Sequence, residues 1–243
     1  HVVRCFTNIA GDAPTPAMDV RDLTEEMMLA DLQSVETRLT RIEKSLHGTK
    51  KDATTPQTME RDLLLQIQGA LESGEFVKTL SLTPDQEKVV RGYDFMSQKP
   101  QIVIANIPED EIGQPESDAV KELRAYCESS NTPMLVLSAR VEAEVAELDD
   151  TEQREYLDAM GLEQPARDRL INETYRSLGL ISFYTAGEPE VKAYSIPKGT
   201  SVVDAAGKIH SDLARGFIRA EIGHFEDVKS AGGWEEAKRA GKV

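Results

Sequence analysis

Apolar and polar positions in the middle of the chain follow the pattern of a strand–helix–strand unit. Two short apolar runs, Ile102–Ala105 and Met134–Leu137, have the composition of buried strands. Between them, the segment Glu116–Ser129 carries apolar residues three and four positions apart, as one face of a helix would. These residues are Val120, Leu123 and Cys127. Because the crossover is long, we predict a right-handed parallel βαβ unit whose strands end at the same edge of the sheet.

The clearest periodicity lies upstream of this unit. Apolar residues at heptad spacing predict a helix from about Val20 to Leu46; they are Met28, Leu32, Val35, Leu39, Ile42 and Leu46. A return helix from about Thr58 can face this stripe with Leu63, Leu64, Ile67, Ala70 and Leu71. We expect the stripe to be core and the tip near His47–Asp52 to be a candidate contact surface.

A third helix is predicted at Thr83-Pro84-Asp85-Gln86, which has the spacing of an N-cap, a first-turn proline and a capping box. It is expected to carry its apolar residues back toward the sheet: Val89, Val90, Tyr93 and Met96. The sequence therefore predicts a coiled-coil-like helical arm over residues 21–96, inserted between two strands of an α/β domain.

The C-terminal part has a different pattern. After a helix-rich acidic segment over Val141–Leu180, the runs Ile181–Tyr184 and Val191–Ile196 flank a turn at Gly187-Glu188-Pro189 and predict a β-hairpin. A helix is predicted over Val202–Ile209. A hairpin followed by a packed helix is the opening of a small α+β, ubiquitin-like fold.

Composition and charge narrow the function classes. The 243 residues carry a net charge of −15, which argues against nucleic-acid binding by the whole surface. Residues 97–180 hold 8 basic against 18 acidic residues, whereas 181–243 hold 9 against 9, so a polyanionic partner would meet the C-terminal part. No apolar run approaches a membrane span, and Cys5 and Cys127 lack metal-site spacing; we expect a cytoplasmic location and no membrane partner.

Polar residues follow both central strands. Asn106 comes directly after the first strand and Ser138 after the second. Ligands of open α/β sheets bind outside the carboxyl ends of the strands. Alone, an asparagine in this position is more often a turn residue, but its pairing with Ser138-Ala139-Arg140 favours a single ligand site.

Several motifs along the whole chain together resemble the YchF-type Obg-like ATPases, within the translation-factor-related P-loop NTPases. The motifs are His1–Phe6, Leu29–Leu32, Val35–Leu39, Asn106–Glu109, Ser138–Arg140, Ile209–Asp212 and Arg215–Glu221. The last one is the most specific, because it resembles the signature of the family's C-terminal TGS domain.

The resemblance implies a fold and an activity. It implies an α/β nucleotide-binding domain (1–20 and 97–180) with part of a P-loop NTPase parallel sheet, an inserted arm (21–96) and an incomplete TGS domain (181–243). It also implies ATP hydrolysis with Mg²⁺, weaker use of GTP, and association with the ribosome, with RNA as a further partner of the TGS domain. We expect the chain to be a fragment cut at both ends.

The expected base-binding residues are Asn106, Ile107, Glu109, Ser138, Ala139 and Arg140. GTPases of this class carry Asn-Lys-x-Asp, whose carboxylate accepts from guanine N1–H and the 2-amino group. Here Ile107 replaces the lysine and Glu109 the aspartate. Adenine lacks both of those donors, so selectivity for guanine should fall. Ile107 is expected to lie against the face of the base, and residues 138–140 to approach it through backbone groups and the Arg140 stem.

Phosphate-binding chemistry is missing from this chain. No G-x-x-x-x-G-K-[ST] motif occurs, so we expect the phosphate loop and Mg²⁺ ligands upstream and propose no catalytic or metal-binding residue here. The chain alone should bind nucleotide poorly and hydrolyse none. The alternative hypothesis is a non-catalytic module that binds a ribosome or protein through the arm and the TGS domain.

Four basic residues of the C-terminal part are candidate contacts with RNA or protein: Lys192, Lys198, Arg215 and Arg219. The alternative is a solvated face with ordinary ion pairs. His210 is interpreted as a helix-end cap in preference to a contact residue.

Overall fold

The computed structural model describes residues 1–7, 10–46, 55–186 and 190–243. The expected contact tip of the arm and the turn at 187–189 lie outside these ranges. The chain divides into two compact units, His1–Glu173 and Thr174–Val243. The predicted boundary at residues 180/181 falls a few positions after this division.

The first unit contains a parallel three-stranded sheet in the order β1 (Val2–Arg4), β2 (Val103–Asn106) and β3 (Met134–Leu137). Val3 pairs in register with Ala105, and Ala105 with Val136. The predicted parallel pairing of the two central strands is therefore present.

Seven helices of the described chain begin in this unit: α1 (Pro16–Leu46), α2 (Pro56–Glu72), α3 (Pro84–Arg91), α4 (Asp118–Ser129), α5 (Ala139–Ala146), α6 (Asp150–Ala159) and α7 (Ala166–Ser177). Helix α4 is the crossover between β2 and β3. All three of its predicted apolar positions are buried, at 2% exposure or less.

Helix α1 begins four residues earlier than predicted. Pro16 occupies its first position, where a missing N–H has no cost, and the Thr15 carbonyl accepts from the Asp19 N–H at 2.9 Å. The added turn packs Ala17 and Val20 into the sheet core with Val103. One continuous helix thus contributes to both the sheet and the arm.

The arm has its own apolar core. The heptad stripe of α1 packs against α2, and the predicted residues of both helices are buried or partly buried. The prediction for the third helix is partly wrong: Val90 is buried, but Val89 and Met96 are 39% and 44% exposed. Helix α3 ends at Arg91, and Met96 lies beyond it in a 3₁₀ turn. The side chain of Met96 therefore does not continue the apolar face of α3.

The described residues of the second unit form an antiparallel pair, β4 (Leu180–Ala186) and β5 (Val191–Pro197), and four short helices: α8 (Val202–Ile209), α9 (Ser211–Arg215), α10 (Phe225–Ala231) and α11 (Trp234–Arg239). Phe183 and Tyr194 are directly opposite and stack with ring centroids 5.2 Å apart. The predicted hairpin and its following helix are both present. No helix in the described ranges is long and apolar enough to cross a membrane.

Candidate functional site

The carboxyl ends of β2 and β3 meet in one place. Asn106 pairs in register with Leu137, and the Ala139 backbone N–H donates to the Asn106 side-chain Oδ1 at 2.9 Å. Ser138 is the N-cap residue of α5 between them. The two loop tips are thus joined directly.

The hydrogen bond to Ala139 fixes the orientation of the Asn106 amide. Because Oδ1 accepts from a backbone N–H, the amino group of the side chain must point elsewhere and keeps its donors. Asn106 is half-buried, at the open edge of the sheet. The site therefore offers a hydrogen-bond donor at this position.

A carboxylate and a guanidinium stand beside the amide. Glu109 begins a 3₁₀ turn directly after Pro108, and its Oε2 lies 3.7 Å from Arg140 Nε. This distance is too long for a hydrogen bond, so the contact is only electrostatic. The structure thus brings Asn106, Glu109, Ala139 and Arg140 together.

Two of the predicted base-binding residues, Ile107 and Ser138, have buried side chains. Ile107 is 8% exposed because it shares a strand face with Val103 and Ala105, and its side chain fills the sheet core. Its backbone N–H donates to the Leu137 carbonyl at 2.9 Å. Ser138 is 3% exposed, so its hydroxyl does not face the open edge. Both side chains therefore support the loops, and the contact of residues 107 and 138 with a base stays a prediction.

The sequence argument missed two residues, Glu144 and Tyr156. Arg140 Nε donates to Glu144 Oε1 at 3.2 Å, and the Tyr156 hydroxyl donates to Glu144 Oε2 at 3.1 Å. Desolvation, followed by the bond to Glu144, raises the pKa of Tyr156. The spacing of Arg140 and Glu144 at i,i+4 was a visible signal. The contact with Tyr156 depends on the packing of α6 against α5.

A cavity of about 170 Å³ lies next to the two loops, and Ile107, Ser138 and Arg169 contribute to its walls. Arg169 Nη2 donates to the Val136 carbonyl at 3.2 Å, which ties α7 to β3. Its buried Nε has no hydrogen-bond partner among the described residues.

The described residues do not fit a metal centre by themselves. No group of three or more His, Cys, Asp or Glu side chains within them is placed to hold an ion. We therefore assign no Mg²⁺ ligand among the described residues.

The four basic candidates of the second unit differ in their pairing. Lys192 lies 4.0 Å from Glu190, and Arg215 Nη2 lies 3.2 Å from Asp212 Oδ1. Lys198 and Arg219 are exposed and have no ion-pair partner within the described ranges. His210 caps α9, since its Nδ1 accepts from the Asp212 N–H at 3.2 Å. The capping interpretation of His210 is therefore correct.

Comparison with known proteins gives consistent matches. A family model described as YchF-GTPase_C, a protein of unknown function (DUF933), matches residues 180–243. The chain is 37% identical over 249 residues to the ribosome-binding ATPase YchF of Bacillus subtilis (strain 168), with all of the chain and 67% of that relative covered. It is also 37% identical over 249 residues to the ribosome-binding ATPase YchF of Escherichia coli O157:H7, with 66% of that relative covered.

A solved structure shares the fold. The Schizosaccharomyces pombe YchF GTPase superposes with a TM-score of 0.83 at 23% identity, covering 99% of this chain and 66% of that one. The chain spans about two thirds of the length of the relatives it matches.

Proposed function

The chain belongs to the YchF family, and on this premise we propose that it supplies the base-binding part of an ATPase that acts on the ribosome. Homologues of this chain are named ribosome-binding ATPases. The observation that carries the proposal is the Ala139–Asn106 hydrogen bond, because it joins the loops after two parallel strands where ligands of such sheets bind.

The base is held by a donor and an acceptor. The free amino group of Asn106 suits N7, an acceptor that every purine presents. The Glu109 carboxylate suits an exocyclic amine, which adenine presents at N6 and guanine replaces with a carbonyl oxygen. Asn106 thus recognises a purine, and Glu109 selects among purines.

ATP is preferred over GTP for this reason. A carboxylate beside the guanine O6 would face an acceptor with no proton between them, and an unpaired polar group lowers affinity. The longer Glu109 side chain also differs from the aspartate that guanine-specific sites use. Arg140 lies over the same edge and lends its aliphatic stem to the base.

The three parts of the chain have separate roles. Residues 1–20 and 97–180 form part of a P-loop NTPase domain, residues 21–96 form an inserted arm, and residues 181–243 form part of a TGS domain. The hairpin β4–β5 with α8 and the family match over 180–243 support the last assignment.

Phosphate binding and catalysis belong to other parts of the full-length protein. This chain contains no phosphate-loop motif, and its described residues assemble no metal-ligand cluster. Mg²⁺ would accompany the phosphates and stabilise their charge. By this reasoning the chain alone does not hydrolyse ATP.

Partner binding falls to the second unit and to the arm. Lys198 and Arg219 are exposed, and among the residues the structure describes neither has a carboxylate within 4 Å, although the charge of Arg219 helps to lower the pKa of Glu221. Both cations can therefore contact a polyanion such as ribosomal RNA. A protein that only binds the ribosome through these parts, without hydrolysis, is the second candidate function. The cytoplasm is the matching location.

Titration of ATP and GTP against the full-length protein tests the proposal. We expect ATP to bind more tightly, and Glu109→Asp to shift the preference toward GTP. Glu147→Asp, an exposed change at the C-cap of α5, is the matched control. Much tighter binding of GTP by the unaltered protein would overturn the proposed base recognition. Binding of neither nucleotide would favour the ribosome-binding alternative.

A further inference from the structure

The Glu109 carboxylate lies beside the Arg140 guanidinium without forming a hydrogen bond to it. An arginine and a carboxylate at close range usually form a bidentate pair with two short hydrogen bonds. Here the Arg140 Nε to Glu109 Oε2 distance is 3.7 Å, and Glu109 accepts no side-chain hydrogen bond within the described chain. A closed pair would occupy the oxygens that the base needs.

Glu144 explains why Arg140 and Glu109 do not form a hydrogen-bonded pair. It lies one turn after Arg140 on α5 and accepts the Nε–H at 3.2 Å. The Nε–H is therefore engaged by Glu144, and Glu109 keeps only an electrostatic contact with the guanidinium. The two carboxylates compete for one cation, and Glu144 holds the hydrogen bond.

Tyr156 fixes the position of the Glu144 carboxylate. Its hydroxyl donates to Glu144 Oε2 at 3.1 Å, so both oxygens of Glu144 have donors. The Tyr156 ring packs against a small buried cluster of Val141, Val145 and Leu157. The position of Glu144 is thus set by the packing of α6 on α5.

We propose that Glu144 and Tyr156 are positioning residues for base selection: they hold Arg140 aside so that Glu109 can accept from an exocyclic amine. This inference rests on the proposed function, in which Glu109 recognises the amine. These positioning residues lie on α5 and α6, whereas the residues proposed to contact the base lie on the loops after β2 and β3.

The test compares ATP with purine riboside triphosphate, which lacks the 6-amino group, in the full-length protein. Glu144→Ala frees Arg140 to pair with Glu109, so ATP binding should weaken about three- to fivefold, the size of a solvent-screened charge interaction. Binding of the analogue should not change. Tyr156→Phe should act in the same direction, by about twofold.

A double variant separates positioning from simple stability. Adding Arg140→Gln to Glu144→Ala removes the cation that would occupy Glu109, so the ratio of ATP to analogue affinity should recover. Glu147→Ala removes an equivalent charge from the end of α5 and should change neither affinity. Equal loss of both nucleotides, or no recovery in the double variant, would overturn the inference.

Glu109→Ala, which removes both acceptor oxygens, distinguishes in the same assay between failure of the base recognition and failure of the positioning role. If it leaves the ratio unchanged, Glu109 does not read the amine and the proposed function itself fails. If it lowers the ratio while Glu144→Ala does not, base recognition stands and only the positioning role is wrong.

Discussion

The Ala139 backbone N–H donates to the side-chain oxygen of Asn106 at 2.9 Å, although 33 positions separate the two residues in the chain. This bond joins the loops that follow β2 and β3. It also decides which end of the Asn106 amide is available to a ligand, because the oxygen is already used.

Asn106→Asp tests that assignment. The carboxylate can still accept from Ala139, but it has no donor for N7 of a purine, so ATP and GTP should both bind about tenfold more weakly. Because Ala139 is exposed, the free energy of unfolding should change by less than about 1 kcal/mol. Calorimetric titration and urea unfolding of the full-length protein measure the two effects. Loss of only one nucleotide would contradict a role shared by all purines.

The juxtaposition of Asn106 and Ala139 could be predicted from the sequence. Two apolar runs and an amphipathic segment of the right length specify a parallel βαβ unit, and parallel strands end at one edge. The polar residue after each run is then at the same edge. This logic needs only local patterns, which explains why it succeeded.

The burial of Ile107 was also accessible to sequence reasoning but was missed. Side chains alternate along a strand, and residue 107 has the same parity as the buried Val103 and Ala105. The position of Tyr156 was not accessible. It depends on how α6 packs on α5, and no local periodicity specifies that contact.

Asp31→Ala is expected to destabilise the protein where the chain leaves the arm, at Met96 and Ser97. Asp31 is 4% exposed and accepts from the Met96 N–H at 2.9 Å, the Ser97 N–H at 2.8 Å and the Ser97 hydroxyl at 2.6 Å. Its removal leaves buried donors unpaired, so the free energy of unfolding should fall by about 2–4 kcal/mol. Urea unfolding measures the loss, and hydrogen exchange at Met96 and Ser97 localises it.

Two further variants control for the Asp31 result. Ser97→Ala removes only the hydroxyl bond and should cost less than half as much. Asp62→Ala removes a carboxylate whose side chain is 65% exposed, and it should change stability by less than about 0.5 kcal/mol. A loss at Asp31 no larger than at Asp62 would show that the buried bonds contribute little.

Glu60→Gln should destabilise the arm. Arg38 donates to the two oxygens of Glu60 at 2.8 and 2.9 Å, and the Tyr93 hydroxyl donates to the same carboxylate. The Glu60 side chain is 18% exposed but that of Arg38 is 42% exposed, so screening limits the expected cost to about 1–2 kcal/mol. Glu87→Gln, which breaks a more exposed pair with Arg91, should cost less than about 0.5 kcal/mol.

The free energy of unfolding at acidic pH should depend on the protonation of Glu60. The hydrogen bond from Arg38 lowers the pKa of Glu60 below its ordinary value. A lowered folded-state pKa gives stability that is present above the unfolded pKa and is lost as the pH falls through the folded pKa. The difference between the unaltered protein and Glu60→Gln should therefore shrink in acid, as followed by urea unfolding across a pH series. A constant difference would contradict the charge contribution.

Cys5 and Cys127 should be unreactive in the folded protein. Cys5 is 2% exposed, and burial, followed by the charges of Glu111 and Asp19, raises its pKa to about 11. Burial also raises the pKa of Cys127. Because the thiolate is the reactive species, a disulfide reagent at about pH 8 should label neither residue until guanidinium is added. Rapid labelling of native protein at either thiol would show that the sheet core opens readily.

Tyr93→Phe should flatten the alkaline end of the stability profile. Burial, followed by the bond to Glu60, raises the pKa of Tyr93 to about 12, whereas an unfolded tyrosine titrates near about 10. A raised folded-state pKa gives stability that is full below the unfolded value and is lost as the pH rises through the folded value. The unaltered protein should thus lose stability between about pH 10 and 12, by an amount of order 1 kcal/mol after solvent screening. Phenylalanine cannot ionise, so the variant should be less stable at neutral pH but decline less above it. Urea unfolding at neutral and alkaline pH measures both effects, and an equally steep alkaline decline in the variant would assign the loss to other groups.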